Sequence, residues 1–335
     1  MPIRMQQRRD LAANWTANNP VLADGEIGLE KDTLLYKIGD GATAWNSLAY
    51  IQFQPTVPVL SLVDQDDKPS TPSSGLQLFT MRRGGRRLAF MQGPSGLDTP
   101  LQPAFFANGV QIIAPSATTA FSLFGVVAPT AVGTVSHPAI SATANLKEGV
   151  RRAIVTSAAT ANSASELRVA AFSCYRGDAP GFGGFYTRTR WGMNTAVALQ
   201  RTAVGLFATT AAIATTQNPS ALTNCVFLGN DSADTNMQIM HNDGSGTCTK
   251  IDLGASFPAN STTAMYDFDL FAAPNSNSIG WRVTNLVTGA VATGTITTDM
   301  PSSTTFLAWH AYANNGGTAA AVVLDFYRFY LETDF

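Results

Sequence analysis

MYDFDLFAAPNSNSIGWRVTNLVTGAVATGTIT, residues 265–297, reads as three strands and the turns between them. Polar and apolar residues alternate through 265–271, 279–286 and 291–297, the period of a strand with one face buried. Pro274-Asn275-Ser276-Asn277 separates the first two, and these residue types favour turns over ladders. The same texture extends in both directions, with strand candidates at 166–172, 184–191, 204–207, 225–228, 237–240, 305–312 and 320–331. Turn clusters at 218–220, 229–231, 242–246 and 314–317 punctuate them. About ten strands at this spacing predict an all-β sandwich of jelly-roll type over residues 111–335. The run from Ala321 to Leu331 is apolar on both faces, so it should be a central strand or lie at a subunit contact.

Composition narrows the class further. Of 335 residues 13% are charged and 45% hydrophobic, with a net charge of -2. A typical soluble domain carries roughly 25% charged residues. Disorder driven by net charge is excluded, and so is a long coiled coil, which needs Glu- and Lys-rich heptads. No run of about 18 apolar residues exists to insert in a membrane, and a net negative chain does not bind nucleic acid by bulk charge. The N-terminus has no apolar core of a secretory signal. Cys174, Cys225 and Cys248 are an odd set without a CxxC and read as small buried hydrophobes, although Cys225 and Cys248 would bridge if their strands were neighbours.

Charge thins along the chain. Eleven of the first 50 residues are charged, against 24 of the 225 from position 111 onward. Three regions follow: 1–52, a proline-rich connector at 53–110, and the sandwich at 111–335. The first is short and punctuated by Asn18-Asn19-Pro20, Asp24-Gly25 and Gly39-Asp40-Gly41, with alternation at 26–30 and 35–38 and helical character only over 10–17. Fifty such residues cannot enclose a core alone, and identical copies packed around an axis would supply one.

Arg8-Arg9-Asp10, Trp15, Asn19-Pro20, Leu22, Gly25-Glu26-Ile27-Gly28, Lys37-Ile38-Gly39-Asp40-Gly41 and Trp45 occur in that order. This series resembles the N-terminal module of phage major tropism determinants, related forms of which occur in phage tail-fibre and head-fibre proteins. The resemblance covers about the first 50 residues. It implies a β-prism-like unit wound into a homotrimer that joins a fibre to the virion. It implies nothing about receptor choice, and the C-type-lectin-like pattern of the tropism determinant is missing from the rest of the chain. Residues 93–106, GPSGLDTPLQPAFF, also resemble phage fibre segments, and the predicted sandwich resembles lectin-like fibre heads in architecture.

In the connector, prolines bracket a strand at 59–63, and 76–83, Gly84-Gly85 and 86–91 form a hairpin signal with a two-residue turn. That register sets Arg82 opposite Arg87 and Arg83 opposite Arg86, a destabilising pairing of like charges. Asp64, Asp66 and Asp67 are the nearest neutralising carboxylates, in this chain or a neighbouring subunit, so an Arg–Asp cluster is expected at a chain or subunit contact. The alternatives are arginines fanned into solvent and a phosphate or nucleic-acid contact, the latter lacking interleaved aromatics.

Reaction chemistry is sparse. Asp267 and Asp269 share a strand face and are candidate paired carboxylates, with a polar outer face as the alternative. His137, His241 and His310 lack metal-ligand spacing, no GxSxG is present, and Gly181-Phe182-Gly183-Gly184 lacks the lysine of a phosphate loop. Asn230, Asp231, Asp234, Asn242 and Asp243 offer oxygen ligands but no calcium-loop spacing, so no metal or cofactor is expected. A sugar site is the more natural expectation: Trp309, His310, Tyr312 and Asn314 mix aromatic and amide groups at a strand end, with Asn230, Asp231, Asn242 and Asp243 as loop companions.

The expectation is therefore a non-enzymatic phage structural protein made in the host cytoplasm. It would be a homotrimeric fibre or spike, attached to other virion proteins through 1–52, presenting a sandwich to a host-surface glycan. A head fibre without a receptor and a glycan depolymerase are the alternatives. So few charges beyond residue 110 further predict a substantial subunit interface there.

Overall fold

The computed structural model describes residues 8–51, 62–65, 67–93, 98–100, 109–116, 120–142, 146–179, 182–195 and 197–333. Residues 59–61 of the predicted strand at 59–63, Asp66 and most of the 93–106 segment therefore lie outside the described residues. The chain divides into two compact units, Met1–Ser61 and Leu62–Phe335.

In the first unit Arg8–Asp10 pairs in parallel with Ile27–Glu30, which pairs antiparallel with Tyr36–Ile38. The helix Ala12–Asn18 starts where the Asp32 carboxylate accepts the Ala12 N–H at 2.9 Å, and ends at Asn19 in the left-handed region. Trp15 and Trp45 stack at 4.2 Å over Leu22 and form the small core. Gly28 is the residue that permits this, since a Cβ there would stand 2.5 Å from the Trp45 ring. Lys37 is buried beside them. Its ammonium donates to the Trp45 carbonyl at 2.7 Å and lies over the Tyr50 ring, and burial lowers its pKa.

The second unit is a two-sheet β-sandwich with an added layer. All ten strands expected from the sequence beyond residue 110 are present. One sheet runs Thr130–Val132, Ala164–Arg168, Ala308–Asn314, Arg201–Phe207, Cys225–Asn230, Gln238–Asn242, Thr249–Asp252. The other runs Thr134–Ser136, Ala153–Thr156, Val323–Thr333, Phe185–Met193, Met265–Ala272, Ile279–Asn285, Val291–Ile296. Gly109–Pro115 pairs with the lower half of Val323–Thr333 and carries Phe121–Phe124. Val323–Thr333 is thus a central strand, with neighbours on both edges.

Between the sheets, inward-facing side chains interdigitate. Trp309 stacks on Phe329 at 4.7 Å, touches Phe326, and donates its indole N–H to Thr189 at 3.0 Å. A third layer covers part of the second sheet. The hairpin Gln77–Arg83 and Arg86–Gln92 turns at Gly84-Gly85, both at positive φ, in the register that sets Arg82 against Arg87 and Arg83 against Arg86. Its apolar side, Phe79, Met81, Leu88 and Phe90, packs on Tyr186, Phe271 and Tyr330.

Candidate functional site

The outer face of the second sheet carries cross-strand rows of charge. Arg328, Arg190, Asp267 and Thr284 are successive partners in one row, and Tyr330, Arg188, Asp269, Arg282 and Thr293 in the next. Asp267 is fully buried and held by a two-point grip, Arg190 Nε to Oδ1 and Nη2 to Oδ2, each 2.7 Å, with Arg188 also bonded to Oδ2. Burial raises the pKa of this carboxyl, but the two guanidiniums overcome that and hold it well below the ordinary carboxylate range. Asp269, equally buried, accepts the Tyr186 hydroxyl at 2.5 Å and lies 3.9 Å from Arg188.

The hairpin tip adds arginines to this face. Arg86 pairs with Glu332 at 2.7 Å and lies over the Tyr186 ring. Arg82 and Arg87 both bond to Asp64, Arg82 at 3.1 Å. Asp67 is exposed. Arg83 lies over the Phe90 ring. Like charges that face each other across the turn are thus separated by two carboxylates, Asp64 from the preceding segment and Glu332 from the last strand. Glu332 is a partner that no local pattern identifies, since 246 residues separate it from Arg86.

Between the tip and the strands Ile279–Asn285 and Val291–Ile296 lies a half-open pocket of about 460 Å³, lined by Asp67, Arg82, the Gly84-Gly85 turn, Arg282, Thr293 and Thr295. Arg282 is 9% exposed, and among the described residues its guanidinium makes no hydrogen bond and no ion pair within 4 Å; its Nε is fully enclosed without an acceptor. Burial, then the nearby charge of Arg83, lowers its pKa, while Asp269 and Asp67 act in the other direction. Guanidinium, hydroxyls and turn backbone meeting at a pocket are groups that bind a polar ligand.

The expected sugar platform is corrected by burial. Trp309 lies in the core between the sheets. His310 is buried with Nδ1 2.7 Å from Glu166 and Nε2 2.8 Å from the Thr209 carbonyl. Tyr312 packs with Phe207 and Ile213, and Asn314 caps the Gly316 N–H at 2.6 Å. None of the four has a face for a ligand, because both sides of the central strand Ala308–Asn314 are covered. The loop companions are likewise engaged internally. Asn230 bonds Thr202 and the Gln200 carbonyl, and Asn242 holds the turn at Ser245. The Lys250 ammonium bridges Asp231 at 3.2 Å and Asp234 at 2.6 Å, standing where a bound cation would stand. Asp243 alone of the set is exposed, at a turn tied to Asp299. Cys225 and Cys248 are neighbours with Sγ atoms 3.7 Å apart, and all three thiols are free and buried.

Residues 5–43 match the family described as Major tropism determinant N-terminal domain. Over 51 residues the chain is 39% identical to hyaluronoglucosaminidases of Streptococcus pyogenes phages H4489A and H10403, which is 15% of this chain and 14% and 15% of theirs. The chain thus aligns with less than a sixth of those relatives. Among solved structures, a Shewanella oneidensis MR-1 protein of unknown function aligns over 69% of this chain and 89% of its own at 14% identity, with a TM-score of 0.44. Peanut lectin aligns over 68% of this chain and 98% of its own at 10% identity, with a TM-score of 0.45.

Proposed function

We propose that this chain is a phage virion fibre or spike protein, anchored to the particle through its N-terminal unit, that presents the β-sandwich to a glycan on the host surface. The observation that carries the reading is the tropism-determinant module, matched over 5–43 and folded around the Trp15–Trp45 stack. That unit leaves Leu11, Val21, Leu34, Leu35 and Ile38 exposed, a large apolar fraction for so few residues, and self-association into a trimer would cover it. Three copies on one stalk would bind by avidity, so each site needs only modest affinity.

Binding without cleavage fits the geometry. A glycosidase needs one carboxyl with a raised pKa to donate a proton. Asp267 is clamped as an anion with its pKa held well below the ordinary carboxylate range, and both it and Asp269 are sealed from solvent. The phage hyaluronoglucosaminidases share only the N-terminal module, so their activity gives no reason to expect cleavage here.

The test uses the intact chain. Light scattering gives the mass, and labelled protein is added to host cells in competition with virions. A trimer that blocks virion adsorption supports the reading. A monomer overturns the trimer, and a trimer that leaves adsorption unchanged favours a capsid-decorating role. Shortening of host polysaccharide by the protein would overturn the non-enzymatic assignment.

A further inference from the structure

We propose that the pocket between the hairpin tip and the strands Ile279–Asn285 and Val291–Ile296 takes an acidic sugar, with Arg282 receiving its carboxylate. This rests on the glycan-binding reading and specifies the class of glycan.

Charge is unbalanced on the outer face of the second sheet. On this face Asp267 is taken by Arg188 and Arg190, and Glu332 by Arg86. Asp269, the cross-strand neighbour of Arg282, accepts the Tyr186 hydroxyl at Oδ1 and stands beside Arg188, and its Oδ2 makes no hydrogen bond to Arg282 or to any other described residue. Arg282 is left as a buried cation with no bonded acceptor among the described residues. A guanidinium carries five N–H donors, and enclosing even the one on Nε without an acceptor is costly. Such a group is stable beside an opening only if that opening supplies acceptors. Here the opening is the 460 Å³ pocket, and a carboxylate is the planar, two-oxygen partner that matches the fork. The other lining groups suit the rest of a sugar ring: Thr293 and Thr295 give hydroxyls, and the Asp67 carboxylate would accept from ring hydroxyls. Gly84-Gly85 brings backbone against the pocket without side chains in the way.

The probes are glucuronic acid and glucose, which differ by a carboxylate. Saturation-transfer NMR on the intact protein is expected to show glucuronate bound at least about tenfold more tightly than glucose. Arg282→Gln should abolish that preference, and Arg282→Lys, which keeps charge but loses the fork, should restore only part of it. Equal binding of both sugars by the wild type overturns the carboxylate assignment while leaving glycan binding intact. Binding of neither sugar, in a protein that still blocks virion adsorption, overturns this pocket but not the host-binding reading. A change in oligomeric mass on Arg282→Gln identifies the acceptor as a neighbouring subunit and overturns the proposal. The wild-type comparison decides even if the variants fail to fold.

Discussion

The carbonyl oxygen of Gly84 sits directly over Gly280: a Cβ built on Gly280 would stand 2.1 Å from it. The hairpin turn is therefore seated on the sheet backbone itself, and position 280 must be glycine for steric reasons unrelated to its φ. Gly280→Ala is expected to lift the tip and destabilise the unit by about 1–3 kcal/mol, the usual effect of an overpacked contact. Urea unfolding measures the loss. Limited proteolysis should cut within 62–92 before the sandwich, and an unchanged cleavage pattern would refute the seating.

The Asp267 clamp makes an acid-sensitive lock. Its folded pKa lies below the ordinary 3.8, so the unfolded chain binds the proton more tightly. The stabilisation is thus complete above about pH 4 and is lost as pH falls through the folded value. Asp267→Asn removes it at all pH values and leaves Arg188 and Arg190 without their shared anion, a loss of about 3 kcal/mol at neutral pH. Melting temperatures between pH 2 and 7 are expected to show a flatter acid limb for the variant.

Removing one partner of the tryptophan stack should unfold the first unit. Trp45→Ala deletes a fully buried ring from a core of four residues, Trp15, Leu22, Trp45 and Leu48, at about 3–5 kcal/mol. The two-unit division predicts that calorimetry on the variant loses or lowers one transition while that of the sandwich is retained.

The buried thiols give a simple check on packing. Burial raises the pKa of Cys174 and Cys225, and a protonated, enclosed thiol is a poor nucleophile. An aromatic disulfide reagent is expected to find no reactive cysteine in native protein and three after denaturation. Rapid native reaction would contradict the placement of these strands.

Strand positions were legible where alternation ran for six residues or more, as in Met265–Ala272 and Ile279–Asn285. Short pieces such as Thr249–Asp252 and Ala153–Thr156 escaped, because four residues hold too little periodicity. Side-chain roles were harder. Asp267 and Asp269 alternate as a solvent-facing row would, yet arginines and a covering layer enclose them, and alternation cannot distinguish water from a polar lid. The Trp309 reading failed for the opposite reason. Leu307 to Ala313 is uncharged throughout, the signature of a strand buried on both faces, and the mixture of aromatic and amide groups that runs on to Asn314 is equally that of a core strand. Arg282 carried no signal at all, since its significance lies in the partners it lacks.

Val323–Thr333 bonds to three other strands, Ala153–Thr156 and Gly109–Pro115 on one edge and Phe185–Met193 on the other. During synthesis the two halves of that sheet emerge with nothing to join them, and for as long as residues 323–333 are unmade they expose complementary unpaired edges. Contacts spanning more than 200 residues close late, so folding is expected to be slow and dependent on the ribosome having released this segment. A nascent chain stalled before it would present open strands to its siblings, which makes the interval before residue 323 the period of greatest risk of aggregation.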